Sequence, residues 1–252
     1  MTPIHFPVSG VETWLWLPPL VAFLISFFTS MGGVSGAFLL LPFQMSVLGY
    51  VAPSVSATNL VFNLVATPGG VYRYAREGRL DPRLLRLFVL GGLPGMLAGF
   101  WLRVRWLADA GDFKLFVAAV LAYIARRLLF GAPHARGRAA PGNAALAMAA
   151  GIVGVVGGIY GIGGGAILAP VAVALFRLPV ERVAGAALAS IFLLSLVGVL
   201  IYQAGGARGG ECISPDWALG LSFGLGGLAG MYRGARCQRR MPGRWLNGCW
   251  PG

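Results

Sequence analysis

From Trp14 to Tyr72 the chain carries no Asp, Glu, Lys or Arg. Uncharged runs recur at Leu87 to Leu102, Leu115 to Ala125, Asn143 to Phe176 and Val183 to Gly206. A helix that crosses a bilayer core of about 30 Å needs roughly 20 apolar residues, so each run holds one span or several shorter ones joined by turns. Polar and apolar residues do not alternate along these runs, which excludes a membrane β-barrel. Over 252 residues, 57% are hydrophobic and 11% charged, far too apolar a balance for a soluble domain. The fold class read from the sequence is an all-α polytopic membrane protein with about seven to nine membrane segments.

The formal net charge of +12 raises the question of a nucleic-acid partner, and the placement of the charges answers it. Arg73, Arg76, Arg79, Arg83 and Arg86 form one group, Arg126, Arg127, Arg136 and Arg138 another. Arg177 and Arg182 form a third, and Arg233, Arg236, Arg239, Arg240 and Arg244 fill the tail. These groups sit between apolar runs, and no basic face carries aromatic residues on which bases would stack, so no nucleic acid is expected. Placed in the cytoplasm, they leave only Arg103, Arg105, Lys114 and Arg208 outside, as the positive-inside rule requires. The N-terminal stretch has no basic region of a cleavable signal and carries Glu12 just before the first apolar run, so the first span is expected to stay.

The chain contains an internal duplication. "GVSGAFLLLP" at 33 to 42 aligns with "GIGGGAILAP" at 161 to 170, a shift of 128 (170 minus 42) that also pairs Val55 with Val183, Leu60 with Leu188 and Tyr74 with Tyr202. "GGLPGMLAG" at 91 to 99 aligns with "GGLAGMYRG" at 226 to 234 at a shift of 135 (226 minus 91). The Arg-rich loop after Tyr74 corresponds to an Arg-poor loop after Tyr202, so equivalent loops are expected on opposite sides of the membrane and the repeats are read as inverted. The division is membrane repeat 1 at 14–130, a basic cytoplasmic linker at 131–142, membrane repeat 2 at 143–236 and a short basic tail at 237–252. Repeat 1 continues beyond its "GGLPGMLAG" into a further span, whereas only "ARCQRRMPGRWLNGCWPG" follows the second copy. The last helix of repeat 2 is therefore expected to be missing, leaving a groove for lipid or for a second subunit of a homo-oligomer.

Glycine-dense stretches interrupt both repeats at membrane depth. In hydrocarbon an unpaired backbone group is too costly to persist unless protein or a water-filled cavity satisfies it, so the breaks imply a lined cavity. Each break precedes a short apolar helix whose N-terminal N–H groups and partial positive charge suit an anion. The binding residues expected on this ground are Gly33, Ser35 and Gly36 in the first break and Gly161, Gly163, Gly164 and Gly165 in the second. Asn59 and Asn63, four apart on one helical face, and Ser190 add neutral donors. Opposite the asparagines the second repeat has Ala187 and Ile191, which makes any site asymmetric. Gly91, Gly92, Gly95, Gly99, Gly226, Gly227 and Gly230 are read instead as close-packing positions. For Asn59 and Asn63, interhelical hydrogen bonding stands beside ligand contact as a second reading.

The acids all lie in loops or at helix ends, leaving no intramembrane carboxylate to repel an anion. Two helix termini give about one positive charge together, which suits a monoanion or a dianion that keeps its water. The peripheral His5 and His134 make no Ser/His/Asp constellation, and the glycines follow an apolar helix rather than a strand, so neither an enzyme nor a nucleotide loop is indicated. Cys212, Cys237 and Cys249 form no metal or disulfide pattern, and no cofactor is expected.

"MGGVSGAFLLLPFQ", "VSATNLVFNLVATPGGVYRYAREGRLD" and "LGGLPGMLAG", with the second "GIGGGAILAP", resemble the sulfite exporter TauE/SafE family over about residues 14 to 236. The resemblance implies a bacterial inner-membrane permease with two homologous halves that moves small sulfur-containing anions such as sulfite or sulfonates. Membrane lipid and a coupling ion, proton or sodium, would be its other partners. A permease for another small anionic metabolite is one alternative, and a non-transporting membrane scaffold or assembly factor that binds partner helices through its glycine faces is the alternative of a different class.

Overall fold

The computed structural model describes residues 4–31, 35–130, 142–176, 178, 180–209 and 213–238. Among them nine helices follow a short ribbon: β1 (Ile4–His5), β2 (Glu12–Thr13), α1 (Leu17–Met31), α2 (Ala37–Ser46), α3 (Ser54–Arg76), α4 (Pro82–Arg105), α5 (Ala110–Phe130), α6 (Asn143–Tyr160), α7 (Gly165–Phe176), α8 (Val180–Gly209) and α9 (Trp217–Gln238). The predominantly helical, polytopic expectation holds, with the antiparallel two-stranded ribbon as a departure from all-α. Gly33 falls outside the described residues, as do the linker up to Pro141 and the tail from Arg239, where the missing last helix was expected.

Among the described residues, three helical stretches are long and apolar enough to cross a membrane: Pro82–Arg105, Asn143–Tyr160 and Arg182–Gly205. The short apolar helices α2 and α7, of 10 and 12 residues, are about 15 and 18 Å long at 1.5 Å per residue. Neither reaches across a core of about 30 Å.

Local chemistry fixes the helix starts. Asp81 caps α4 by accepting the N–H groups of Arg83 and Leu84 on Oδ1, with Pro82 in the first turn where its missing N–H costs nothing. Asp216, 135 residues later, accepts Leu219 N–H on Oδ1 at the start of α9. Its second oxygen takes both the N–H and the hydroxyl of Ser9, which ties the terminal ribbon to that helix. Phe6 and Val11 of the ribbon segment are buried.

Small residues decide which helices meet. A Cβ at Gly91, Gly95 or Gly99 of α4 would overlap the carbonyl oxygens of Ala147, Gly151 and Val155 on α6. A Cβ at Gly226, Gly230 or Gly234 of α9 would overlap those of Pro19, Phe23 and Phe27 on α1. The α1 partners precede the α6 partners by 128 residues each, the sequence shift of the duplication, so the two interfaces share one register. In both pairs numbering rises together, so α4 runs parallel to α6 and α9 parallel to α1.

At the centre α3 and α8 run antiparallel. Leu60 lies against Gly198, Leu188 against Gly70, and Tyr74 against Gly185. Residues 54–63 of α3 are buried without interruption, so the polar residues of this stretch have no water to turn to. Thr67 Oγ1 donates to Asn63 O at 2.7 Å, one turn back and directly before Pro68. A proline cannot make the N–H bond its neighbours make, and a hydroxyl on the adjacent residue is a common companion of such an interruption.

Candidate functional site

The second break is a backbone feature. Gly161 ends α6 with φ +74°, and the N–H groups of Gly161 and Ile162 both return to Gly157 O, which closes the helix. Gly163 and Gly164 follow with φ of +64° and +74°. Three residues in the left-handed region across four positions require glycine, since other L residues pay roughly 1–2 kcal/mol there. Gly165 N–H then donates to Gly163 O, and the first-turn amides of Ile167 and Leu168 reach Gly164 O. Those three amides are therefore engaged in this conformation and are not the open donors expected from the helix terminus.

The first break works through side chains. Ser35 Oγ donates to Asn63 Oδ1 at 2.5 Å and accepts the N–H of Ala37 at 3.2 Å. Asn59 Nδ2 donates to Ala37 O at 3.1 Å. Gly36 is in the right-handed region, with φ −61°, and is glycine for a different reason. A Cβ there would stand 2.6 Å from Ser26 Oγ. Ser35, Gly36, Asn59 and Asn63 are thus one buried cluster, half of whose amide atoms lack a partner: Asn59 Oδ1 and Asn63 Nδ2. Buried amides are nearly always fully bonded, and each unpaired group costs about 1–3 kcal/mol, so this pair asks for an explanation.

The second-break residues group against α8. Gly165 is packed where a Cβ would lie 2.6 Å from Ala187 O and 2.9 Å from Ser190 Oγ. Ser190 Oγ, however, is spent on Ala187 O at 2.8 Å. A Cβ on Gly163 would lie 2.9 Å from Ser195 Oγ, a buried hydroxyl with no partner. Gly164 instead faces Gly154 of α6, with a Cβ distance of 3.3 Å.

The two breaks adjoin through Tyr160. Its hydroxyl donates to Phe38 O at 3.1 Å and its ring stacks on Phe38, with centroids 5.8 Å apart. One residue beyond Tyr160 is Gly161; one residue before Phe38 is Ala37, held by Asn59. Ser56 completes the junction by donating from Oγ to Ile159 O at 3.0 Å.

Three buried groups near the breaks were not singled out in the sequence. Gln44 of α2 is completely buried with both amide atoms unpaired. Ser56 has the bond just described. Arg103, placed outside by the charge pattern, lies in the last turn of α4 with no exposed surface. Packing against Phe113 of α5 and Ser56 of α3 encloses this side chain. On the loop side, a cavity of about 300 Å³ is lined by Gly78, Arg79, Leu80, Asp81 and Arg182. Arg73 and Arg79 beside it share Glu77 as ion-pair partner, at 2.9 and 3.3 Å.

Comparison with known proteins adds identity to this geometry. Residues 19–249 match the family described as Sulfite exporter TauE/SafE. A "Probable membrane transporter protein" of Xylella fastidiosa (strain 9a5c) is 26% identical over 216 residues, covering 82% of this chain and 78% of the relative. The "Probable membrane transporter protein YunE" of Bacillus subtilis (strain 168) is 22% identical over 241 residues, covering 84% of each chain. No solved structure matches the chain. With apolar helices long enough to cross a bilayer and a family match over most of its length, the chain belongs to the sulfite exporter TauE/SafE family and is a multi-pass membrane protein of a transporter family.

Proposed function

We propose that the chain is a permease of the bacterial inner membrane for small sulfur-containing oxyanions of the sulfite or sulfonate type, which it binds at the paired helix breaks and moves by alternating access. The observation that carries this reading is the junction itself. Two interrupted helices meet through Tyr160 and Phe38, and beside them lie unpaired buried polar atoms on Asn59, Asn63 and Ser195. Such atoms are accounted for by a ligand that is present for only part of a cycle.

Inverted repeats are a recurring basis for alternating access, and the packing supports that reading. The repeat equivalents α3 and α8 run antiparallel, and α1 on α9 repeats the register of α6 on α4. Ser35, Asn59 and Asn63 present neutral hydrogen-bond atoms, and no carboxylate stands among them to repel an anion. The arginines at the loop cavity raise the local anion concentration on the side read as cytoplasmic, an effect screened beyond about 8 Å at physiological salt. The coupling ion is a proton or sodium.

The test is uptake and counterflow of radiolabelled sulfite and methanesulfonate in proteoliposomes containing the full chain. Saturable flux above that of empty liposomes is expected. It should be lost in Gly164→Leu, because at φ +74° a leucine both strains the break and fills the space toward Gly154. Flux no greater than in empty liposomes for the wild-type chain would sink the permease reading in favour of a scaffold.

A further inference from the structure

Arg103 is the largest side chain that the fold buries completely. Its Nε donates to Ser56 Oγ at 3.3 Å, one terminal nitrogen donates to Leu107 O, and the other to Val51 O at 3.3 Å. The guanidinium carbon lies 3.7 Å from the centre of the Phe113 ring. Among the described residues no carboxylate pairs with it, since the ion pairs involve only His5, Arg73 and Arg79.

A guanidinium has five N–H donors. The three bonds use three of them and leave two. Neutral carbonyls and a hydroxyl answer the donors without answering the charge, and the C-terminus of α4 contributes only about half a negative charge. A cation removed from water with no anion beside it is strongly unfavourable, so its retention calls for a counter-ion in some state of the protein.

The position of Arg103 says which anion. Ser56 Oγ, which takes the Nε–H, passes its own proton to Ile159 O. The backbone carbonyl of Ser56 lies so close to Gly161 that a Cβ there would overlap it. Arg103 is thus one residue removed from the second break.

We propose that Arg103 is the fixed counter-charge for the transported anion and that it gives the site a preference for a doubly charged oxyanion. This inference rests on the reading of the breaks as the anion site. The first-turn amides at both breaks are engaged in this conformation, so the guanidinium is the one full positive charge beside them, to which the helix dipoles add only a partial share. Its planar fork has two N–H groups to offer, which suits a ligand with at least two acceptor oxygens on one centre. A sulfite-type dianion and a monosulfonate both offer the oxygens, and the dianion offers the greater charge to the guanidinium.

Methanesulfonate and methylphosphonate make a probe pair of similar size and shape. The sulfonate is a monoanion throughout the neutral and alkaline range, while the phosphonate gains its second charge within it. Binding of each is measured by calorimetry to the full chain in lipid nanodiscs, at pH values on either side of that second ionisation. For the wild type, phosphonate binding is expected to tighten as the second charge appears while sulfonate binding stays level. In Arg103→Gln the dianion affinity should fall on the order of thirtyfold, with a smaller loss for the sulfonate. Arg103→Lys should keep the preference for the dianion while binding more weakly, since it retains charge and loses the fork. Wild-type phosphonate binding that stays level or weakens as pH rises overturns the proposal, whether or not either variant folds. A dianion preference unchanged in a folded Arg103→Gln overturns it too, leaving the anion-site reading in place. Wild-type protein that binds neither probe and carries no sulfite refutes the anion-site reading itself.

Discussion

Asn63→Leu separates a residue kept for a ligand from one kept to hold helices together. In the wild type Asn63 makes one side-chain hydrogen bond, accepting from Ser35 Oγ at 2.5 Å, while its Nδ2 is buried with no partner. Leucine removes the bond, a net loss of about 0.5–1.5 kcal/mol, and removes the unpaired donor, a gain of about 1–3 kcal/mol. Ser35 Oγ keeps the N–H of Ala37 as a partner, so its own loss is partial. These two terms sum to between about 0.5 kcal/mol destabilising and about 2.5 kcal/mol stabilising. The variant is therefore expected to melt within a few degrees of the wild type in anion-free detergent, measured by intrinsic fluorescence. In proteoliposomes the same variant should lose most sulfite flux. A melting temperature lowered by ten degrees or more would refute the reasoning, because it would mean that the Asn63 amide is structural glue between α3 and the first break.

Two further outcomes follow from the packing. At Gly154 of α6 an added Cβ would stand 2.5 Å from Gly92 O, whereas ordinary contact begins at 3.4 Å; Gly154→Ala should therefore cost about 1–3 kcal/mol as α4 and α6 part, and Gly142→Ala, with nothing within 4 Å, should melt like the wild type. On an otherwise cysteine-free chain, Arg79→Cys should be labelled only from the cytoplasmic face and Arg208→Cys only from the opposite face. Labelling of both from one side would remove the inverted-repeat reading.

The glycine breaks and the duplication were legible in the sequence because few other residues serve where the backbone must turn left-handed or let another backbone touch it. Gly161, Gly163 and Gly164 illustrate the first need, and Gly91, Gly95 and Gly99 the second. The partner of each close-packed glycine was not legible, since a small residue advertises a close approach without naming what approaches. That α4 chooses α6, and not its sequence neighbours α3 and α5, depends on Ala147, Gly151 and Val155 more than forty residues away. The terminal ribbon escaped because strands of two residues carry no period to read. Arg103 escaped because "FWLRVRW" has the look of an interfacial anchor, basic residues among aromatics at a span's end. Arg105, two residues on, does behave so, resting over the exposed Trp101 ring at 4.7 Å, while Arg103 points the other way into α3 and α5.

The asymmetry of the site has one consistent direction. Asn59 and Asn63 face Ala187 and Ile191 under the shift of 128, and Arg103 corresponds to Gln238 under the shift of 135. All three polar groups thus belong to repeat 1. Among the described residues of the two breaks, the left-handed glycines belong to repeat 2, while Gly36 of the first break is right-handed. Under the proposed reading, one half of the duplication supplies side-chain chemistry and the other supplies a left-handed glycine backbone that lets other helices approach closely. A duplicated scaffold allows this division, because the two halves need to match only where helices pack, at the glycines of α4 and α9, and are free to differ where they meet a ligand. Exchanging the asparagines between repeats, with Asn59→Ala and Asn63→Ile joined to Ala187→Asn and Ile191→Asn, would move the polar side chains away from Arg103. The swapped chain should fold, since the packing glycines are untouched, and should lose sulfite flux; retained flux would show that the two breaks are interchangeable and that the direction of the asymmetry has no bearing on the site.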